Sequence, residues 1–374
     1  MKRLIALLPA LLLMSGNQAI GATPQYTVTD LGTFSGGTAS FAFDINSSGQ
    51  VVGRALNSSG QNHAFLYSGG TMQDLGTPAT YTYSQAAAVN DGGQVVGIAY
   101  NSTWSHAFLY SGGTMHVLGT IPNYTAGSSA NAINNSGQIV GSANNSTSKS
   151  HAFLYSGGSM QDLGTLPNYT SRCNANDINN SGQIVGSSQD AGFNGHAFLY
   201  SGGTMHDLGT LPNGGNSFAN AINNIGEIVG EAQNSSGRYH AFLDSGGLMQ
   251  DLGVLSSYSY ASEAFDINDS GQIVGYAETS SGQNHAFLYS NGMMQDLNSL
   301  ITTSPAWNLE WATGLNDNGL IAAYGTNAGG QVHAVILTPI VTPEPSTLAL
   351  LATCALGLAG YAWRKRSRDA EQIA

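Results

Sequence analysis

Seven histidines, His63, His106, His151, His196, His240, His285 and His333, recur along the chain at spacings of 43 to 48 residues. Imidazole is the commonest metal ligand and carries protons near neutral pH, so this series is the first place to look for chemistry. A zinc ligand must lie about 2 Å from its ion. One histidine per structural unit puts the ligands on different units, too far apart to share an ion. The series therefore reads as a set of strand-to-loop hydrogen-bonding groups. His116 and His206 stand outside it and carry no assigned role.

Carboxylates offer less. Asp44-Ile45-Asn46-Ser47-Ser48-Gly49, Asp177 to Gly182 and Asp266 to Gly271 echo the opening of a calcium loop. Such a loop also needs an acid at its twelfth position, where this chain has Ala55, Ser188 and Ala277. A hairpin turn accounts for the same residues without a metal. Asp74, Asp162 and Asp251 repeat with the unit and read as local hydrogen-bond acceptors. Glu263 and Glu310 interrupt the repeat, and a hydrolase or lyase needs these two acids in one pocket. No Gly-x-Ser-x-Gly elbow lies between a strand and a helix, and no phosphate-cradling glycine loop precedes one. No catalytic residue, metal or cofactor is assigned from these patterns.

Rings in the variable segments are the positive signal. Tyr81, Tyr83, Trp104, Tyr124, Tyr169, Tyr258, Tyr260 and Trp307 are the candidate ligand-binding residues. An aromatic ring with a polar tip suits a sugar face or a protein surface, if the rings share one side of the molecule. The competing reading is that they cap the ends of the repeats.

A tandem repeat positions all of these residues. His-Ala-Phe-Leu-Tyr-Ser-Gly-Gly-Thr-Met-Gln-Asp-Leu-Gly, complete from His63 to Gly76, returns with a period near 44. Each unit contains four short runs with strand character. In the third these are 130–134, 138–141, 151–155 and 160–163, with Asn134-Asn135-Ser136-Gly137 and Ser156-Gly157-Gly158 as tight turns. Four short strands per 40–45 residues is the spacing of a β-propeller blade. The Asn that opens the first turn occurs at 46, 90, 134, 179, 223, 268 and 316, giving seven units. The seventh lacks a fourth strand, and Tyr26 to Gly32 supplies a spare one at the N-terminus. The expected fold is all-β, a seven-bladed propeller of four-stranded blades closed by that N-terminal strand. Small residues such as Ala130, Ala132, Ala219 and Ala221 are expected along its channel. Antiparallel order puts both tight turns on one face and the variable loops on the other.

Composition divides the chain into three. Residues 1–22 have a basic start, an apolar core and a small-residue end, the pattern of a secretory signal peptide. Residues 23–342 hold the repeats. Residues 343–374 hold Pro343-Glu344-Pro345, an uncharged run from Leu348 to Trp363, and a basic cluster at 364–366. That run, extended by Ser346 and Thr347, is long enough for a C-terminal transmembrane helix, with the cluster held in the cytoplasm. Six of the ten Lys and Arg and three of the 22 acids lie in the end segments, leaving the repeats near −15. Such a field disfavours nucleic acid. Cys173 and Cys354 cannot build a disulfide framework.

The His-Ala-Phe-Leu-Tyr core, with Ile-Asn-x-x-Gly-Gln-Ile-Val-Gly before it, resembles the HAF family of extracellular repeats. Asn298 and Val335 depart from the pattern in the last two units. The tail resembles a PEP-CTERM sorting signal. That resemblance implies an exosortase-type sorting protease as partner, acting near Pro343, Glu344 and Pro345. It also implies a precursor anchored in the inner membrane and a final place at the cell surface or outside. The expected function is a non-catalytic surface or matrix protein that binds exopolysaccharide or other surface proteins. An extracellular glycan hydrolase or lyase, or a purely structural component, are the alternatives.

Overall fold

Alternating apolar and polar residues, punctuated by Asn-x-x-Gly and Gly-Gly turns, give four antiparallel strands per unit. The computed structural model describes residues 25–147, 149–255, 260–302 and 306–340. Sheet 1 holds β2 (Ser40–Ile45), β3 (Val51–Leu56), β4 (Asn62–Ser68) and β5 (Thr71–Gly76). Sheet 2 holds β6 (Tyr83–Val89), β7 (Val95–Tyr100), β8 (Ser105–Ser111) and β9 (Thr114–Gly119). Sheet 3 holds β10 (Gly127–Ile133), β11 (Ile139–Asn144), β12 (Ser150–Ser156) and β13 (Ser159–Gly164). Sheet 4 holds β14 (Arg172–Ile178), β15 (Ile184–Gln189), β16 (Gly195–Ser201) and β17 (Thr204–Gly209). A single parallel bridge, Ser150 to Arg172, joins sheets 3 and 4. Sheet 5 holds β18 (Ser217–Ile222), β19 (Ile228–Gln233), β20 (Tyr239–Asp244) and β21 (Met249–Gly253). Sheet 6 holds β22 (Ala261–Ile267), β23 (Ile273–Glu278), β24 (Asn284–Ser290) and β25 (Met293–Asp296). Sheet 7 holds β26 (Asn308–Leu315), β27 (Ile321–Thr326) and β28 (Val332–Pro339), and its fourth strand is β1 (Tyr26–Asp30).

The turns carry the expected geometry. Asn134 O accepts from Gly137 N and Asn134 N donates to Gln138 O, both at 3.0 Å. Gly137 has φ 77° and Gly157 and Gly158 have φ 59° and 84°, values that glycine adopts without steric cost. At the second strand's Gly141 the constraint is contact instead: a Cβ there would collide with the Ser129 carbonyl.

The core lies between sheets. Phe153 is fully buried and packs with Ala88, Val96 and Ile121 from the preceding unit. Phe65 does the same against Ala322, Ala334 and Ile336 of sheet 7, so the first sheet packs on the last. Pairing of β1 with β28 runs from Tyr26 with Pro339 to Asp30 with Val335. The N-terminal strand therefore completes sheet 7 as its sequence indicates. The channel expectation needs correction. Ala130 and Ala219 are buried between sheets. Asn131 and Asn220, together with Ala132 and Ala221, line an axial cavity of about 140 Å³. The cause is a bulge after Ala130 and after Ala219, which breaks the alternation of side chains.

Among the described residues no helix is long and apolar enough to cross a membrane. The expected signal peptide, Pro343, Glu344, Pro345 and the Leu348–Trp363 run lie outside the described residues.

Candidate binding groove on the loop face

The repeated histidines pin the outer strands. His63 Nδ1 donates to the Asp74 carboxylate at 3.0 Å, and its Nε2 lies 3.3 Å from Asn57 Nδ2 in the loop after β3. The same histidine–aspartate pair joins His151 to Asp162, His196 to Asp207, His240 to Asp251, His285 to Asp296 and His333 to Asp30. In sheet 2, Val117 stands where the others have Asp, and the Tyr81 hydroxyl meets His106 Nδ1 at 2.7 Å instead. Burial lowers the His106 pKa.

This use of histidine decides the fate of most predicted ring residues. Tyr124 packs on His151 at 4.5 Å and Tyr169 on His196 at 4.7 Å between ring centroids. Trp307 lies 6.5 Å from His333, and Tyr83 stacks on Tyr100 at 5.1 Å. Tyr81, Tyr124, Tyr169 and Trp307 thus meet the histidine of the following sheet. Tyr260 is 51% exposed, with the Arg238 guanidinium 5.6 Å above it. Tyr258 lies outside the described residues. Trp104 is 51% exposed and lines a cavity.

Asparagine organises the opposite end of the inner strands. Asn46 Nδ2 donates to Asn90 O, and the pattern passes through Asn134, Asn179, Asn223 and Asn268 to Asn316, which donates back to Asn46 O at 2.9 Å. All seven are buried. Each side chain is a second donor to a carbonyl that also accepts from the glycine N–H of its own turn. The calcium-like Asp residues have a related task. Asp44 accepts from Ile45 N and Val89 N, Asp177 from Ile178 N and Ile222 N, and Asp266 from Ile267 N and Leu315 N. Burial raises Asp44 to about 6, with the Asp177 and Asp91 charges adding to it.

The loop-side ends of the inner strands are where the repeat breaks. Here first- and second-strand residues face each other as Phe41 with Arg54, Phe218 with Glu231, Glu263 with Tyr276, and Trp311 with Tyr324. Rings link three of these sheets, 1, 7 and 6: Phe41 to Tyr324 at 5.3 Å, Tyr324 to Trp311 at 6.1 Å, and Trp311 to Tyr276 at 4.2 Å. Glu231 and Glu263 interact, and burial followed by the Glu263 charge raises Glu231 to about 8. Asn220 Nδ2 bonds Glu263 at 3.0 Å. Glu310 is on sheet 7 and accepts from Thr326 at 2.8 Å. The carboxylate facing Glu263 is therefore Glu231, which the repeat pattern did not single out.

Sheets 2, 3 and 4 have small or slender residues at these positions: Gln85 with Ile98, Ser129 with Ser142, and Asn174 with Ser187. Space opens over these sheets. One cavity of about 440 Å³ is lined by Ile98, Tyr100, Asn101 and Trp104. A second of about 430 Å³ is lined by Ser142, Asn144, Asn145, Arg172 and Asn174. Ala126 lines both, so the two cavities adjoin and together make a candidate groove. An exposed indole beside amides and hydroxyls can stack on an apolar sugar face while hydrogen-bonding its rim. Sequence reasoning found Trp104 but missed Asn144, Asn145 and Arg172. The available signal was the one residue per unit at which the inner strands stop repeating.

Seven four-stranded antiparallel sheets packed side by side make this a propeller-like, all-β repeat protein. The chain belongs to the family described as "Protein of unknown function (DUF3466)", which residues 57–164 and 212–334 match. That family is the match, and not the HAF repeat that the motif resembles. Residues 341–367 match the PEP-CTERM protein-sorting motif, which implies export through an exosortase-type system and a membrane-associated precursor. No curated protein matches the chain. Among solved structures it is similar to a puromycin-hydrolyzing peptidase of Mycobacterium tuberculosis, with 11% identity, TM-score 0.50, and 83% of this chain on 56% of that one. It is also similar to the extracellular domain of a one-component system of B. thetaiotaomicron, with 10% identity, TM-score 0.51, and 83% of this chain on 39% of that one. The β-propeller domain of the Trilobed protease of Pyrococcus furiosus gives 9% identity and TM-score 0.50, with 83% of this chain on 97% of that one. The chain spans about half the length of the first and less of the second. At these identities the likeness concerns the fold alone.

Proposed function

We propose that this chain is an exported, closed seven-bladed β-propeller that binds polysaccharide at the cell surface or in the extracellular matrix. Residues 1–22 direct export, 23–342 form the propeller, and 343–374 carry the sorting signal with its membrane segment. An exosortase-type protease acts at Pro343-Glu344-Pro345. The closed ring is supported by the Asn316 to Asn46 bond and by the β1–β28 pairing.

One observation carries the binding assignment: Trp104 stands half exposed in a cavity lined also by Ile98, Tyr100, Asn101 and hydroxyls, next to a second cavity lined by amides, hydroxyls and Arg172. The test is retention of the full chain on immobilised polysaccharides from an exopolysaccharide-producing bacterium. Trp104→Ala is expected to weaken retention about tenfold, as removal of a central aromatic anchor does. Tyr260→Ala, away from the groove, is expected to change little. Equal retention of the Trp104 variant and the parent would remove the assignment.

A second reading rests on the Glu231–Glu263 pair. A carboxyl held protonated near neutral pH beside another carboxylate is the arrangement that general-acid cleavage of glycans uses. Release of reducing ends by the parent chain and its loss in Glu231→Gln would favour that reading. Binding without turnover favours the first.

A further inference from the structure

We propose that the polymer taken by this groove is anionic, a glycan whose sugars carry carboxylates, and that Arg54, Lys149 and Arg172 recognise those groups. This rests on the reading that the groove binds polysaccharide and adds the charge class of the ligand.

The placement of cations carries the argument. The chain has 22 acidic residues, and its described part has four Lys and Arg: Arg54, Lys149, Arg172 and Arg238. One of the four lines the groove and two stand beside it. Arg172 lines it. Lys149 sits between the lining residues Asn145 and Ser150, in a turn closed by Asn145 N to Lys149 O at 2.9 Å. Arg54 stands at the inner end, where its Nη1 donates to Gln85 at 3.3 Å, and Gln85 pairs across the sheet with the lining residue Ile98. Among the described residues none of these three forms a salt bridge. The nearby Asp190 is occupied by Gly192 N, Asn194 N and Asn194 Nδ2.

Two of the cations are held ready for a planar anion. The Arg172 guanidinium lies 4.8 Å over the Phe193 ring, and that of Arg54 lies 4.9 Å over Phe41. Ring stacking fixes the plane of the fork, and the fork matches a carboxylate with two parallel bonds. Arg54 Nε is buried and has no acceptor. The rest of the acidic surface repels an anionic polymer and so confines it to this groove.

The test is titration calorimetry of the full chain with oligogalacturonate and with a neutral oligoglucan of the same length. Oligogalacturonate is expected to bind about tenfold more tightly or better, with an advantage that shrinks as salt rises. Arg172→Gln and Lys149→Gln are each expected to lower uronate affinity roughly three- to tenfold and to leave neutral binding unchanged. Trp104→Ala should lower both. Arg54→Lys keeps the charge and the stem but not the fork, and a loss of uronate affinity is expected in it too; retained affinity would overturn the part given to Arg54. Equal binding of the two oligomers would overturn the charge proposal and leave polysaccharide binding standing. Tighter binding of a sulfated glucan than of oligogalacturonate would overturn the carboxylate assignment. Binding of none of these would remove the underlying reading as well.

Discussion

Asp30 and His333 are 303 residues apart in sequence, and Asp30 Oδ1 lies 2.9 Å from His333 Nδ1. The pair is the sixth copy of the contact that His63 makes with Asp74 only 11 residues away. In sheet 7 it is split between the two ends of the repeat region. The contact that pins the outer strands elsewhere therefore also ties the N-terminal strand to sheet 7.

Because Asp30 is 42% exposed, the ion pair itself is worth little, about 0–1 kcal/mol. Strand β1 matters more, since it covers the edge of β28 and buries Tyr26. Asp30→Ala is expected to lower the unfolding midpoint slightly. Deletion of residues 25–30 is expected to lower it far more and to promote association through the bared edge. Urea unfolding and light scattering check both, and a deletion variant as stable as the parent would contradict closure by this strand.

The asparagine belt gives a prediction that should not depend on position. Asn134→Ala and Asn316→Ala each remove a buried amide that donates to the carbonyl of the next unit and accepts from the backbone of its own turn, at a cost of about 1–3 kcal/mol. The two losses should be similar, although one bond joins adjacent units and the other joins residues 270 apart. A negligible cost at Asn316 alone, measured by chemical denaturation, would indicate that the circuit does not hold there.

Stability should fall as pH rises. Burial, then the Glu263 charge, lifts Glu231 from the ordinary 4.5 to about 8. Between those values the folded chain holds a proton that the unfolded chain has released. That contribution is fully present below the lower value and is lost as pH climbs through the higher, at up to about 1.4 kcal/mol per pH unit. Asp44, lifted from 3.8 to about 6, acts in the same sense over its own window. Thermal midpoints are expected to decline from about pH 5 to about pH 8, with a shallower decline in Glu231→Gln. Midpoints that rise across this range would contradict the burial of these acids.

Cys173 occupies the place of a serine that ties five of the sheets to the one before. Ser84 Oγ, for example, accepts from Ala64 N and donates to Gly76 O. Across the sheet from Cys173, Ser188 stands where Ser84 faces Ala99, and Ser188 donates to Tyr169 O. The tie is thus moved to the neighbouring strand. Burial raises the thiol to about 11, so it should resist alkylation at pH 8 in the folded chain and react on unfolding. Cys173→Ser combined with Ser188→Ala restores the common pair, and its unfolding free energy is expected to stay within about 1 kcal/mol of the parent. Peptide mapping after alkylation and urea titration check the two statements.

Asn298 shows how a departure from the repeat can preserve a contact. It replaces a glycine, and it bonds Leu309 both ways, accepting from its N–H at 2.6 Å and donating to its carbonyl at 2.9 Å. Sheets 6 and 7 are joined there by one side chain instead of a serine–glycine bridge. The sequence marks the substitution but not its partner, because the partner is 11 residues on, across a loop that does not repeat.

The sequence alone determined the number of units, the strand order within each, both turns and the use of the N-terminal strand. All of these follow from local rules: alternation along a strand, glycine at positive φ, and a motif counted along the chain. It also carried the C-terminal sorting motif, which is linear. Only the tertiary structure decided which rings face solvent. Tyr81, Tyr124 and Tyr169 lie in loops between units and each meets a histidine of the next sheet, while Trp104, in the loop between β7 and β8, flanks His106 of its own sheet and stays half exposed. The groove has the same origin. It exists because small residues on three adjacent sheets stand beside bulky ones on the other four, and side-chain volume across neighbouring sheets is a sum that no single repeat contains.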